Sequence, residues 1–191
     1  MNELAKLLDQ ADWPEPGITG QAVGWFDVAE LPLPSGRMWV GDPGFSWAEL
    51  ADDDGLRVDL EPGNYRVQAL VMAFGKANLI ARLRVCAINA PDFELGEELA
   101  EAGTDSASIG VCDAVAMLAA YQAKFADRNS GALFLEDYDF ERAGTLRIDD
   151  GPPLVYVQSG FGDGSGPVFE LLANSRRVGV ELEFIAEDAT S

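Results

Sequence analysis

Residues 178–185 read VGVELEFI. Val178, Val180, Leu182 and Phe184 fall on every second position, with Glu181 and Glu183 between them. That period of two predicts a strand with its apolar residues facing in and both glutamates facing water. The rest of the C-terminal third extends the pattern. PVFELL (167–172) and PLVYVQS (153–159) read as two further strands, with ANSRR (173–177) as the reversal before the last. Between 158 and 169 the chain reads QSGFGDGSGPVF, with Gly160, Gly162, Gly164 and Gly166 within seven residues. A phosphate loop would lead into a helix N-terminus, whereas this segment leads into a strand. The expectation is a bulged turn in which glycines supply positive φ, so that the three strands form a meander. A loop whose amides also contact a ligand or partner is the alternative.

Upstream the signals remain mostly β. Residues 21–31 and 37–41 flank PLPSG, a hairpin-like connection. GLRVDL (55–60) meets NYRVQALVMAF (64–74) across EPG as a second tight reversal, and LIARLRVCAI (79–88) follows GKAN. ASIGVC (107–112) is a short strand. The acidic stretch PDFELGEELAEAGTD (91–105) reads as irregular, with one helical turn at most. Two helices are predicted. Asn2 caps a short one carrying Leu4, Leu7, Leu8 and Ala11 on one stripe, ended by WPEPG. Asp113 caps AVAMLAAYQAKFA (114–126), which is apolar almost all round and is therefore expected to be largely buried, and RNSG ends it. The fold class is thus α+β, mostly β. Antiparallel sheets form a sandwich-like body over 20–186, with one buried helix and a short N-terminal helix (1–14) packed on it, in a single domain spanning 1–191.

Composition narrows the chemistry. The chain has 191 residues, 48% of them hydrophobic, which suffices for a core without disulfide or metal staples. No apolar run reaches the roughly 18–20 residues of a membrane span, and the charged N-terminus does not read as a secretion signal. A cytoplasmic location without membrane contact is expected. Thirty-three acids against thirteen bases give a formal charge of −20. Such a surface repels nucleic acid and steers basic partners inward. Histidine is absent, which removes Ser-His-Asp, Cys-His and His-bearing metal sites. Cys86 and Cys112 lie among apolar neighbours and read as buried free thiols.

Several carboxylates and arginines invite a site. Asp52, Asp53 and Asp54 suggest calcium, but consecutive acids suit a solvated turn better than an EF-hand loop. Asp42, Asp113 and Asp163 each stand at an element end, where a Mg²⁺ or Ca²⁺ site for a His-free hydrolase or small-ligand binder could assemble. Carboxyl groups more than about 8 Å apart could not share one ion. Arg66, Arg82 and Arg84 recur at even spacing on adjacent strands. They form either an anion patch or cross-strand pairs with acids. Trp25, Trp39, Trp47 and Phe161 are candidate aromatic anchors for a protein partner, with acidic rims at 91–105 and 136–150.

Four segments taken in order resemble an uncharacterised bacterial family known as a domain of unknown function. They are LPSGRMWVGDP (33–43), EPGNYRVQALV (61–71), GTDSASIGVCDA (103–114) and QSGFGDGSGPVFELL (158–172). The family shows a Ser-Gly-Arg turn before Asp-Pro, a Pro-Gly-x-Tyr-x-Val strand entry, an Asp-rich segment before the helix and a Ser-Gly-aromatic-Gly-Asp-Gly loop. This chain departs from it at Ser165-Gly166-Pro167, where an aromatic or Tyr-Pro step is usual, and in ELLANSRR, which lacks the usual acidic turn. The resemblance covers roughly 20–186 and implies order of elements without a mechanism. Companionship of related genes with secreted toxins makes an immunity-like or antitoxin-like binding protein the expectation. Its partner would be a basic protein, no cofactor is called for, and oligomeric state is left open.

Overall fold

The structure is a computed structural model describing residues 3–8, 14, 16–43, 55–90, 92–125 and 142–186. Asp52, Asp53, Asp54, Trp47 and the 136–141 part of the second acidic rim lie outside these residues. The described chain is mostly β, with two antiparallel sheets and two helices. The larger sheet holds β1 (Gln21–Leu33), β4 (Gly63–Phe74), β5 (Ala77–Ala87), β6 (Glu94–Thr104), β10 (Gly164–Ala173) and β11 (Arg176–Glu183). Its order is β1-β4-β5-β11-β10-β6. The smaller sheet runs β3-β2-β7-β9-β8, from β2 (Arg37–Gly41), β3 (Leu56–Asp59), β7 (Ser108–Asp113), β8 (Ala143–Arg147) and β9 (Pro153–Gln158). The main core fills the space between the sheets. Leu31, Val67, Leu83, Val85, Val168, Val180 and Leu182 face Met38, Val40, Ile109, Val111, Val155 and Val157. All are buried, as alternation in both layers requires.

Three of the expected reversals are not hairpins. Residues 34–36 carry the chain from β1 in one sheet to β2 in the other, and residues 60–62 carry it back from β3 to β4. The two crossings run side by side. Leu33 pairs with Gly63 before the corner and Arg37 with Asp59 after it, and the register between them is unbroken. Leu60 N–H donates to the Gly36 carbonyl at 2.7 Å. Gly36 has φ 71°, and a Cβ there would strike the Leu60 carbonyl and Pro62, so only glycine fits the bend. β1–β2 and β3–β4 are thus one long two-stranded ribbon folded over from sheet to sheet.

The glycine segment plays the same part in a second ribbon. β6–β7 pairs with β9–β10: Thr104 with Gly164 on one side of the corner, Ser108 with Gln158 on the other. Residues 159–163 therefore link the two sheets, and the expected meander is corrected to one crossing plus the β10–β11 hairpin. The strand lengths and glycines look the same in either case, because a hairpin and a sheet-to-sheet corner both need a sharp bend. The glycines do supply positive φ, 46° at Gly160 and 118° at Gly162. In the β10–β11 turn Asn174 and Ser175 both have positive φ, as a tight two-residue hairpin demands.

Residues 94–104, read as irregular, are an eleven-residue edge strand. Glu, Leu and Ala favour helix over strand, but pairing with β10 overrides local preference. The helices behave differently from each other. α1 (Glu3–Leu8) inserts Leu4 and Leu8 into the main core, and Asn78 donates to the Leu7 carbonyl at 2.9 Å. α2 (Ala114–Phe125) covers the outer face of the smaller sheet. Ala114 and Met117 pack with Trp39, Cys112, Leu146, Ile148, Leu154 and Tyr156. It is not the largely buried helix its composition predicts, since Val115 is 48% exposed and Ala119 and Ala123 face solvent. Alanine favours helix while offering little apolar area, so leaving it in water costs little. No helix among the described residues is long and apolar enough to cross a membrane.

Candidate functional site

The expected aspartates are placed by the two folded ribbons, and each of two ties one ribbon to the other. Asp113 ends β7 in the second ribbon and is fully buried. It accepts hydrogen bonds from Ser35 N–H at 2.8 Å, from the Ser35 hydroxyl, and from Ala116 N–H at 2.8 Å. The last bond is the expected N-cap of α2, and the first two pin the corner of the first ribbon. Asp42 follows β2 in the first ribbon and holds the corner of the second. It accepts from the Thr104 hydroxyl and from Asp105 and Ser106 N–H, each at 2.7 Å, and from the Ser106 hydroxyl. These donors satisfy both carboxylates, which reads as structural pinning.

The two are also apart. Met38 lies opposite Asp113 in the β2–β7 ladder, and Asp42 lies four residues farther along the same strand. At about 3.3 Å per residue the separation is about 13 Å, too far to share an ion. Asp163 is exposed in the glycine corner, at the Asp42 end, because Gly164 pairs with Thr104. The structure thus brings Asp42 and Asp163 to one end and leaves Asp113 at the other. Among the described residues no three metal-ligating side chains gather as an ion would need.

The arginines meet acids. Arg82 bonds Glu181 at 2.9 Å and Glu183 at 2.5 Å; Arg84 bonds Glu181 through Nε at 2.8 Å and through Nη2 at 2.6 Å. The Arg84 guanidinium lies 3.7 Å from the Trp25 ring centre and 4.9 Å from that of Phe93, two cation–π contacts. Arg66 stands 4.0 Å from Asp27 at the exposed margin. Two cations face two anions in the central group, so the cross-strand pairing reading describes it and the anion-patch reading does not. Glu181, expected to face water, is only 3% exposed. It does face away from the main core, as alternation requires, but the arginines and their aromatic cover shut water out. The missed signal was the pairing of β11 with β5, which sets Glu181 opposite Arg84 and Glu183 opposite Arg82.

Among the candidate anchors, Trp39 is buried under α2 and Trp25 is engaged with Arg84. Phe161 is exposed and its edge meets Phe74, ring centres 5.3 Å apart. Both cysteines are free and buried. Burial pushes the Cys112 thiol far above its ordinary range, with Asp113 beside it adding to the effect. Burial also raises Cys86, against the lowering influence of Arg84 and Arg66. A cleft of about 890 Å³ opens at one end of the larger sheet, lined in part by Tyr65, Asn89, Asp92, Phe93, Arg176 and Arg177. Its arginines are already bound to Glu61 and Glu170. Burial, seconded by Glu61, raises the Tyr65 hydroxyl, which donates to the Glu61 carbonyl.

The residues that sequence reasoning placed least well are those left with unused charge. Asp92, Glu94, Glu97, Glu98, Glu101 and Asp105 are all exposed along or beside β6. Between Arg84 and Lys124 the chain has no lysine or arginine. Among the described residues none of these six is held in an ion pair, and Glu101 alone accepts a side-chain hydrogen bond, from Ser165. Comparison with protein-family models, with curated proteins and with solved structures finds no match.

Proposed function

We propose that this chain is a non-catalytic binding protein that occludes a basic surface of a protein partner, in the manner of an immunity protein or antitoxin. One observation carries the reading. Of the carboxylates that could have formed a catalytic group, Asp42 and Asp113 are spent on pinning the fold and Asp163 is exposed on the glycine corner, whereas those of β6 and its flanks, among the described residues, enter no ion pair at one edge. A one-signed strip raises encounter rates with a cationic surface and loses that advantage in salt. The exposed Phe161 supplies an apolar contact that charge alone lacks. The family resemblance in 33–43, 61–71, 103–114 and 158–172 supports the same reading through the toxin companionship of its genes.

The test is the affinity for the product of the adjacent gene, measured by calorimetry at low and at physiological salt. A steep loss with salt is expected, together with a further loss in a variant carrying Glu94→Gln, Glu97→Gln, Glu98→Gln and Glu101→Gln. Binding that ignores both salt and these four substitutions would sink the proposal, as would no binding at low salt.

A further inference from the structure

We infer that β6 takes up a cationic extended segment of the partner as an added strand of the larger sheet, an inference that rests on the binding reading above. Among the described residues β6 closes the strand order and pairs only with β10, so none of them covers the other side of its backbone. Which residues face that side follows from one proline. Pro167 lies opposite Glu101 in the β6–β10 ladder and has no N–H to give. The Glu101–Pro167 pair is therefore the kind that exchanges no bonds, and the bonded pairs are its neighbours, Ala102 with Gly166 and Ala100 with Val168. Glu101 and Gly103 consequently aim N–H and C=O away from β10. Among the described residues no other backbone group bonds them. Two residues at i and i+2 with outward donors and acceptors are the unit an incoming antiparallel strand engages.

The register around them is regular. Ala100–Thr104 pairs with Val168–Gly164 without interruption, while the N-terminal half of β6 is shifted twice against β10. Charge then selects the occupant. Glu101 and Gly103 sit between Glu97–Glu98 and Asp105, so a second copy of this edge would set carboxylates against carboxylates. A strand with lysine or arginine on alternate residues places cations opposite Glu101 and leaves space over Gly103. The other long edge, β1, is less suited. Its register against β4 breaks twice, and its Asp27 is already engaged by Gln68 and Arg66.

The experiment uses the full chain and a labelled peptide, Thr-Lys-Val-Lys-Val-Lys-Thr. Two controls carry the same charge: one with alternating D-residues, which cannot keep the normal pleat with side chains on alternate faces, and one N-methylated at alternate positions on its backbone. Anisotropy at low salt should show the first peptide binding at least about tenfold tighter than either control, the range expected for one or two backbone bonds. Amide exchange at Glu101 and Gly103 should slow on binding. Gly103→Pro removes an outward N–H and should weaken binding about tenfold, while Gly103→Ala retains affinity. Should Gly103→Pro fail to fold, the methylated peptide tests the same backbone bonds from the partner's side. Equal affinity for all three peptides, or unchanged exchange at Glu101 and Gly103, overturns strand addition. If the adjacent gene's product loses affinity on removal of the glutamates but not with Gly103→Pro, strand addition falls and the binding reading stands. If the peptide adds as a strand while that product fails to bind, strand addition stands and the choice of partner falls.

Discussion

Glu181 and Glu98 lie in one row across the larger sheet, joined through Phe169. The same row continues through Arg84 and Gln68 to Asp27. At Glu181 two guanidiniums converge and water is excluded. Two strands away, at the edge, Glu98 has neither partner nor cover among the described residues. The two residues have the same side chain and the same orientation on the sheet, yet one is part of the fold and the other belongs to the surface. What separates them is the neighbouring strand. β5 brings arginine, and among the described residues no strand lies beyond β6.

Breaking this comparison at Glu181 should have the largest effect. Glu181→Gln leaves Arg84 beneath Trp25 and Phe93 without a carboxylate and Arg82 with Glu183 as its remaining described acid, and should cost about 3 kcal/mol in urea unfolding, since removing one side of a buried pair strands the other. The corner-pinning aspartates come next. Asp113→Ala gives up the α2 cap and the tie to Ser35, for a loss of about 2 kcal/mol. Asp42→Asn, which keeps one acceptor oxygen for the Thr104–Ser106 corner, should lose about 1 kcal/mol. Both are read from the same denaturant midpoint. An alkaline titration sharpens the contrast between core and edge. Burial raises the Cys112 thiol above its ordinary 9.0, so its contribution is complete below that pH and is lost as pH rises toward the folded value. Stability should fall by about 1 kcal/mol per pH unit above 9, and Cys112→Ala should flatten that slope. Smallest of all, Glu98→Gln should move stability by less than about 0.5 kcal/mol, which would place its charge outside the folding balance.

Strands were legible wherever apolar residues alternate or run together, as in 64–74, 79–88 and 178–185, because burial on one or both faces writes itself into local pattern. The Asp113 cap was legible because the donor it caps, Ala116 N–H, lies three residues on, whereas its tie to Ser35 was not. β6 was not, since its residues favour helix and its strand form comes from β10, whose partners lie sixty or more residues away. The Asp42 hub was equally hidden, its donors lying at 104–106. Arg82 and Arg84 were visible as a pair on one face, but their neutralisation depends on the β5–β11 pairing.

By itself the sequence determined the class of fold, the alternating core faces, the missing histidine chemistry and the sign of the surface, because each is a property of composition or of neighbours a few residues apart. Only the tertiary structure decided that PSG, LEP and the glycine segment are corners between sheets, that Glu181 is buried, and that the acids at 94–101 lie on the last described strand of the larger sheet. A strand's neighbours are chosen by contacts far along the chain, and those neighbours settle whether a given charge is paired or left to meet something else.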